Sequence, residues 1–206
     1  MDHEQLVDQL VAEGVLKTPV IIAAFRAIDR ADFVPLEHAA EAYGNYPLPL
    51  AAGQTISQPW TVAFMLERLA PQPGDNVLDV GSGSGWQTAL LAHMVGEAGH
   101  VTALEIVPEL CEMGQRNVEK YGFIESGQVE MHCMSGRGGY AARVPFHKIV
   151  AAAAGVDVPE AWQTQLLPGG SIVTPVGSSI LRLTKSDEGT WQREEFPGFA
   201  FVPLVA

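Results

Sequence analysis

The chain is poor in cysteine and in cations, and each shortage excludes a class of protein. Cys111 and Cys133 are its only cysteines among 206 residues, and neither belongs to a CxxC pair. A disulfide framework needs more, so we expect two reduced thiols and a cytoplasmic protein. Twelve Lys and Arg against 24 Asp and Glu give a net charge of −12. This balance argues against nucleic acid as a partner, because binding to phosphates depends on cations.

Long apolar runs are also missing. No stretch reaches the ~18 apolar residues that a membrane span requires. The first residues, MDHEQLVDQLVAEG, are acidic and amphipathic, whereas a signal peptide needs a basic start and a continuous apolar core. We therefore expect no membrane association, and we predict no metal ion. Hydrophobic residues make up 47% of the chain, which is enough to build the core of one domain.

The first third of the chain predicts helices and an irregular segment. Apolar residues at helical spacing indicate a helix over 4–15 and a second over 20–28. Thr18 before Pro19 is typical of a helix start, with the threonine as the cap. Residues 30–56 are rich in Gly, Pro and aromatics and have no period. Irregular segments of this length tend to carry function.

From residue 57 onward, helices and strands alternate. Ser57 is a candidate N-cap for a helix over 59–70. Short β-prone runs then alternate with helical ones: strands at 76–80, 101–106, 129–133 and 149–154, helices at 86–95 and 108–121. Such alternation predicts a parallel sheet wrapped by helices. The end of the chain predicts an antiparallel edge: a turn at 168–170, a hairpin of 171–176 with 179–184, and a last strand at 199–205.

A glycine-rich loop follows the first strand of this core. It reads Asp79-Val80-Gly81-Ser82-Gly83-Ser84-Gly85, and its glycines let the backbone approach a ligand at the start of the next helix. Dinucleotide enzymes need a third glycine where this chain has Trp86, which disfavours a nicotinamide oxidoreductase. The GxGxG spacing after an acid is instead the pattern of class I methyltransferases. The candidate cofactor-binding residues here are Asp79, Gly81, Ser82, Gly83 and Gly85.

Glu105 extends the candidate cofactor site. It ends the second core strand, twenty residues after Gly85, where a carboxylate can accept hydrogen bonds from both hydroxyls of a ribose. A solvated strand end is the other interpretation. The loop and Glu105 together indicate an adenosyl ligand.

Several segments are very similar to the protein-L-isoaspartate O-methyltransferase family. They are DFVP at 32–35, Tyr43 with PLP at 47–49, GQTISQP at 53–59, VLDVG at 77–81, QLLPGG at 165–170, PVG at 175–177 and FVPL at 201–204. The resemblance runs from about residue 15 to the end. It implies methylation, by S-adenosyl-L-methionine, of the side-chain carboxylate of L-isoaspartyl residues in damaged proteins and peptides. The ester then closes to a succinimide and reopens partly to aspartate, which is a repair reaction.

The resemblance also implies a fold and a domain plan. We expect an α/β, doubly wound, Rossmann-like methyltransferase fold with a mostly parallel mixed sheet, an antiparallel C-terminal hairpin and added N-terminal helices. One domain would span residues 1–206. Residues 1–58 would supply the N-terminal helices and the substrate-cleft segment, and residues 59–206 the cofactor-binding core.

The substrate residues come from the same resemblance. Thr55, Ile56, Ser57 and Gln58 would bind the isoaspartyl group, with Ser57 as the catalytic residue beside its carboxylate. A carboxylate is already a nucleophile at neutral pH, so the reaction depends mainly on alignment of the reacting atoms. Ser57 as only a helix cap is the alternative, and both roles are compatible.

The chain departs from the family at two places. Aligning back from Pro145-Phe146 puts Ser135 where the family has an Asp that bonds the adenine amino group. A neutral acceptor there predicts a loss of about 1 kcal/mol in cofactor binding. His147 stands where the family has another Asp. These departures leave two other hypotheses open: a carboxyl methyltransferase with a different peptide acceptor, and a non-catalytic isoaspartyl-binding module.

Overall fold

The computed structural model describes residues 1–205. Within that range the helices are α1 (His3–Ala12), α2 (Pro19–Ala27), α3 (Pro59–Leu69), α4 (Trp86–Val95), α5 (Pro108–Glu119) and α6 (Glu160–Gln165). The strands are β1 (Leu48–Pro49), β2 (Thr55–Ile56), β3 (Asn76–Val80), β4 (His100–Glu105), β5 (Val129–Cys133), β6 (Phe146–Ala151), β7 (Leu166–Val176), β8 (Ser179–Lys185) and β9 (Trp191–Pro197). Short 3-10 turns fill much of the segment between α2 and α3.

The main sheet has the order β5-β4-β3-β6-β7-β8-β9. The strands from β5 to β7 run parallel, and β8 and β9 are antiparallel to their neighbours. The winding direction reverses between β3 and β6, and α/β sheets bind ligands beyond the carboxyl ends of the strands at such a point. The predicted mixed, mostly parallel, doubly wound sheet is confirmed.

Alternating side chains of the strands feed two apolar clusters, one on each face of the sheet. Val77 and Val150 lie on the face that α1 to α5 cover, while Leu78 and Ile149 lie on the face that carries α6. Trp162 of α6 is fully buried there. Helix α4 is apolar on nearly all sides because it lies between the sheet, α2 and α5.

Of the two predicted helix caps, one is confirmed in position and the other is wrong. Thr18 is the N-cap of α2 and Pro19 is its first residue, but the Thr18 hydroxyl donates to Glu67 Oε2 at 2.7 Å and makes no capping bond. Ser57 lies one residue before the N-cap of α3, which is Gln58. The amide of Trp60 in the first turn of α3 instead donates to Asn45 Oδ1 at 3.0 Å. A side chain from the irregular segment therefore replaces the predicted cap, and the Ser57 hydroxyl is not needed for it.

The C-terminal predictions need three corrections. The predicted turn at 168–170 lies inside β7, where the pairing with β6 shifts register. The last strand is not 199–205 but β9, whose polar sequence pairs with β8 at the edge of the sheet. The sequence pattern favoured 199–205 because it is apolar; these residues instead pack on α3 through Phe199 and form a single bridge from Pro203 to Ala154. Helix α6 was not predicted.

Smaller differences concern single residues. Strand β6 begins three residues before the predicted 149, and α5 ends two residues before the predicted 121. Cys111 is buried, as a small hydrophobic residue is expected to be, but Cys133 is exposed. No helix within residues 1–205 combines the length and the hydropathy that crossing a bilayer would require.

Candidate active site

The glycine loop leaves the carboxyl end of β3 and enters α4. Gly81, Gly83 and Gly85 all have positive φ angles, at 75°, 52° and 86°. Residues other than glycine adopt such angles only at a cost in conformational energy. Gly85 also lies against α5, where a Cβ atom would come within 2.7 Å of Val118 Cγ2. The amides of Gly81 and Ser82 both donate to the carbonyl of Leu104 on β4. The predicted loop is therefore fixed by backbone contacts to the neighbouring strand and helix.

Glu105 at the end of β4 points at this loop. Its Oε2 accepts from Gly83 N at 2.8 Å, and its Oε1 accepts from Ile106 N at 2.8 Å and Val107 N at 2.9 Å. The side chain is only 7% exposed, so the interpretation as a solvated strand end is wrong. A carboxylate has about four lone-pair sites. The three amides use three of them, so the Glu105 side chain has a fixed direction and one site, on Oε2, stays free for a ligand.

Asp79 lies behind the loop. It is fully buried, and its two oxygens accept from Gln87 Nε2 at 2.8 Å and Thr88 Oγ1 at 2.7 Å in the first turn of α4. Burial raises the pKa of this carboxyl to about 6, against the opposing effect of these two hydrogen bonds. Both oxygens are engaged, so Asp79 joins the end of β3 to the first turn of α4.

Ser135 and His147 lie at opposite ends of the sheet. Ser135 follows β5 on the side of the glycine loop, and its hydroxyl is near the amide of Arg137 at 3.4 Å. His147 lies at the start of β6, where its Nδ1 accepts from the amide of Asn76 at 2.9 Å. His147 therefore links β3 and β6 at the end of the strands that is away from the loop, so this departure from the family lies outside the candidate site.

The predicted substrate residues lie between two cavities. Thr55, Ser57 and Gln58 line an open cleft of about 310 Å³ together with Ala152 after β6. A smaller cavity of about 40 Å³ lies between Thr55 to Ser57 and the glycine loop. Ile56 is buried and reaches only this second cavity. Thr55, Ser57 and Ala152 line both cavities, so an open cleft and the glycine loop meet at the Ser57 side chain.

Two orphaned polar atoms mark the loop as suited to a polar ligand. Ser82 Oγ and Trp86 Nε1 are buried and have no hydrogen-bond partner among residues 1–205. Buried groups of this kind are costly unless something satisfies them. Both belong to the loop or to the first residue of α4, beside a fixed carboxylate. The two unpaired groups and the Glu105 carboxylate together fit an adenosyl ligand with ribose hydroxyls and an amino acid end.

The sequence did not point to three other parts of the site. Ala152 follows β6, and its amide donates a hydrogen bond to the carbonyl of Val80. Phe201 and Val202 form the far wall of the open cleft, held by the bond from Ala154 N to Val202 O at 2.8 Å. Arg30, the first residue of the irregular segment, is fully buried. The DFVP and FVPL segments, which are similar to the family named above, include or adjoin Phe201, Val202 and Arg30. This similarity was the sequence signal that could have pointed to them.

The fold and the site together define a Rossmann-like methyltransferase domain. Its sheet order, its GxGxG loop at the switch point and the acid at the end of β4 agree with that class, and a close pyrophosphate is excluded by the buried Trp86.

Comparisons with known proteins narrow the class to one family. The family profile of protein-L-isoaspartate(D-aspartate) O-methyltransferase matches residues 1–206. The chain is 40% identical to the protein-L-isoaspartate O-methyltransferase of Aeropyrum pernix, over 98% of this chain and 78% of that protein. It is 37% identical to the one from Methanopyrus kandleri, over 98% of this chain and 91% of that protein. The chain belongs to the protein-L-isoaspartate(D-aspartate) O-methyltransferase family.

A solved structure agrees with the fold. The Plasmodium falciparum protein, a putative protein-L-isoaspartate O-methyltransferase in complex with S-adenosyl-L-homocysteine, superimposes with a TM-score of 0.90. It is 21% identical, and the match covers 100% of this chain and 99% of that one. At this identity the likeness concerns the fold.

Proposed function

We propose that this chain transfers a methyl group from S-adenosyl-L-methionine to the side-chain carboxylate of L-isoaspartyl residues in damaged proteins and peptides. The family and its curated relatives support the activity. The observation that carries it to this chain is the meeting of the open cleft and the glycine loop at Ser57. A donor and an acceptor on either side of Ser57 would lie next to one another.

The cofactor would be held at the carboxyl ends of β3, β4 and β5. When bound, S-adenosyl-L-methionine supplies an electrophilic methyl group. Glu105 would accept a hydrogen bond from the ribose on its remaining site, the loop from Gly81 to Gly85 would approach the amino acid end, and Ser135 would accept from the adenine amino group. Asp79 would hold the loop against α4. Of these residues, Ser135 offers the weakest contact because a neutral hydroxyl replaces a carboxylate.

The acceptor would enter the open cleft. Thr55 and Gln58 line it, while the buried Ile56 supports the wall from behind. The Ser57 side chain makes no hydrogen bond within residues 1–205 and would orient the isoaspartyl carboxylate. No general base is needed, because the carboxylate is ionised at neutral pH, and catalysis by alignment accounts for the sparse polar lining.

The domain plan follows from this arrangement. Residues 1–58 would form one unit with the core formed by 59–206, contributing one wall of the acceptor cleft. The partners would be isoaspartyl proteins and peptides. A cytoplasmic location rests on the two free thiols alone.

A non-catalytic isoaspartyl-binding module is the second candidate, and only Ser135 favours it. Labelled S-adenosyl-L-methionine should be offered with an isoaspartyl peptide and with the matched aspartyl peptide. We expect methyl transfer to the isoaspartyl peptide alone. Transfer to neither peptide, together with measurable cofactor binding by calorimetry, would shift the assignment to a different carboxylate acceptor. Absence of cofactor binding as well would favour the binding module.

A further inference from the structure

Arg30 is a buried cation without an acidic partner. Its side chain is 0% exposed, and none of the ion pairs within residues 1–205 includes it. Burial lowers the pKa of Arg30 to about 10, which leaves it protonated at neutral pH. Arginine is rarely buried unless it is paired, because its charge loses hydration. The hydrogen bonds that replace the missing carboxylate therefore identify what this charge is used for.

These bonds go to the backbone of the irregular segment. Nη1 donates to the carbonyls of Ala42 at 2.6 Å and Gly44 at 3.3 Å, while Nη2 donates to those of Tyr46 at 3.2 Å and Ser57 at 3.1 Å. The four carbonyls lie between residues 42 and 57, from the middle of the irregular segment to just before α3. One side chain therefore ties the two ends of the segment together, and one of its acceptors is the backbone of Ser57 itself.

The flat side of the same group faces the cofactor half of the site. The guanidinium carbon lies 5.4 Å from the centre of the Trp86 ring, within the range of a cation–π contact. Trp86 is the first residue of α4 and directly follows the glycine loop. Arg30 is thus in contact with the predicted substrate residues through Ser57 and with the end of the glycine loop through Trp86.

We propose that Arg30 is a positioning residue for methyl transfer, which sets the distance and direction of Ser57 relative to the glycine loop. The proposal rests on the proposed function. Arg30 touches neither donor nor acceptor and acts through the backbone of Ser57. The charge of Arg30 strengthens its bonds to the carbonyls, because a hydrogen bond with an ionised donor is stronger than one between two neutral groups.

Arginine and lysine differ at this position. The guanidinium presents five donors in a fixed plane that can also stack on an aromatic ring, whereas an ammonium presents three donors from one atom. A lysine in place of Arg30 would keep the charge but could not reach carbonyls on both sides of the fork. The conservative Arg30→Lys variant therefore separates the presence of a cation from the geometry that the fork imposes.

The test compares Arg30→Lys and Arg30→Met with wild type and with Arg68→Met. Arg68 is a matched control because its guanidinium also stacks on an aromatic ring, 4.3 Å from the centre of Phe64. Calorimetry with S-adenosylhomocysteine gives both the dissociation constant and the number of competent sites. The kcat for an isoaspartyl peptide is then expressed per competent site, so that unfolded molecules do not lower it.

We expect both Arg30 variants to bind S-adenosylhomocysteine within about threefold of wild type. Their kcat per site should fall at least tenfold, since misplacement by about 1 Å can cost ~100-fold, with the methionine variant lower than the lysine variant. Arg68→Met should keep the kcat of wild type. An unchanged kcat per site in Arg30→Lys would overturn the proposal, and so would loss of cofactor binding in both variants, which would make Arg30 a folding residue. Inactive wild type would instead refute the proposed function.

Discussion

Glu105 offers the sharpest test of the cofactor site, through the substitution Glu105→Gln. The carboxylate accepts from Gly83 on one oxygen and from Ile106 and Val107 on the other. A glutamine side chain has only one oxygen. Its NH₂ group must therefore face either the amide of Gly83 or the amides of Ile106 and Val107. The orientation that keeps two bonds sets two donors against each other at Gly83, inside the loop.

The expected loss in affinity has two sources. A hydrogen bond to a charged group contributes about 1.5–3 kcal/mol, against about 0.5–1.5 kcal/mol for a neutral one, so a ribose contact on the remaining site would lose ~1 kcal/mol or more. An unsatisfied amide at Gly83 adds to this loss by disturbing the loop. Since 1.4 kcal/mol corresponds to tenfold, the dissociation constant of S-adenosylhomocysteine should rise at least tenfold, and further in Glu105→Ala.

Titration calorimetry measures this effect directly. Glu109→Gln is the matched control, because it removes the same charge from an exposed site in the first turn of α5. A thermal melt of each variant checks that the protein is folded at the temperature of the titration. If a folded Glu105→Gln variant bound S-adenosylhomocysteine within twofold of wild type, the assignment of Glu105 to the ribose would be refuted.

Four further predictions concern the loop, the cleft and the adenine contact. Asp79 has a pKa raised to about 6 by burial, so the folded state binds its proton more tightly than the unfolded state and stability falls as pH rises from about 4 to 6; Asp79→Asn should remove this part of the pH dependence in urea titrations at each pH. Gly85→Ala should destabilise the fold by about 1–3 kcal/mol through overpacking, whereas Gly74→Ala, at the similar φ of 87° but with open space around it, should show the backbone strain alone; equal losses in denaturant would contradict this. Ser57→Ala should lower kcat about tenfold or more through loss of orientation and leave the affinity for S-adenosylhomocysteine unchanged by calorimetry. Ser135→Asp should tighten cofactor binding by roughly fivefold, since a charged acceptor is stronger by about 1 kcal/mol, and weaker binding would show that the alignment between β5 and β6 is wrong.

Local patterns predicted the sheet core well and the ends of the chain less well. The bounds of β3, α4 and β5 agree with the expected 76–80, 86–95 and 129–133, because each is short and has glycine or polar residues close to both of its ends. The polar strand β9 was missed for the opposite reason. An edge strand that pairs on one side and is exposed on its faces has no apolar signature to read.

The candidate site divides in the same way. Glu105 was found because its distance from the loop is fixed by one helix and one strand. Arg30 was not found, because nothing near it in sequence reveals that its side chain binds four carbonyls. The farthest of these along the chain belongs to Ser57. The Ser57 cap was predicted from neighbouring residues alone, whereas the actual partner, Asn45, comes from another turn. Contacts between segments that are far apart in sequence limit what such patterns can predict.

The two walls of the open cleft come from segments on either side of the α/β core in sequence: Thr55 to Gln58 before it, and Phe201 with Val202 after it. The glycine loop itself and the strand ends that carry Asp79 and Glu105 come from the core between them. Acceptor preference can therefore diverge by exchange of residues in the flanking segments while methyl donor chemistry is inherited intact. Within one family, the peptides accepted should vary more among relatives than the donor does, and chimaeras that exchange these flanking segments should transfer acceptor preference without altering donor affinity.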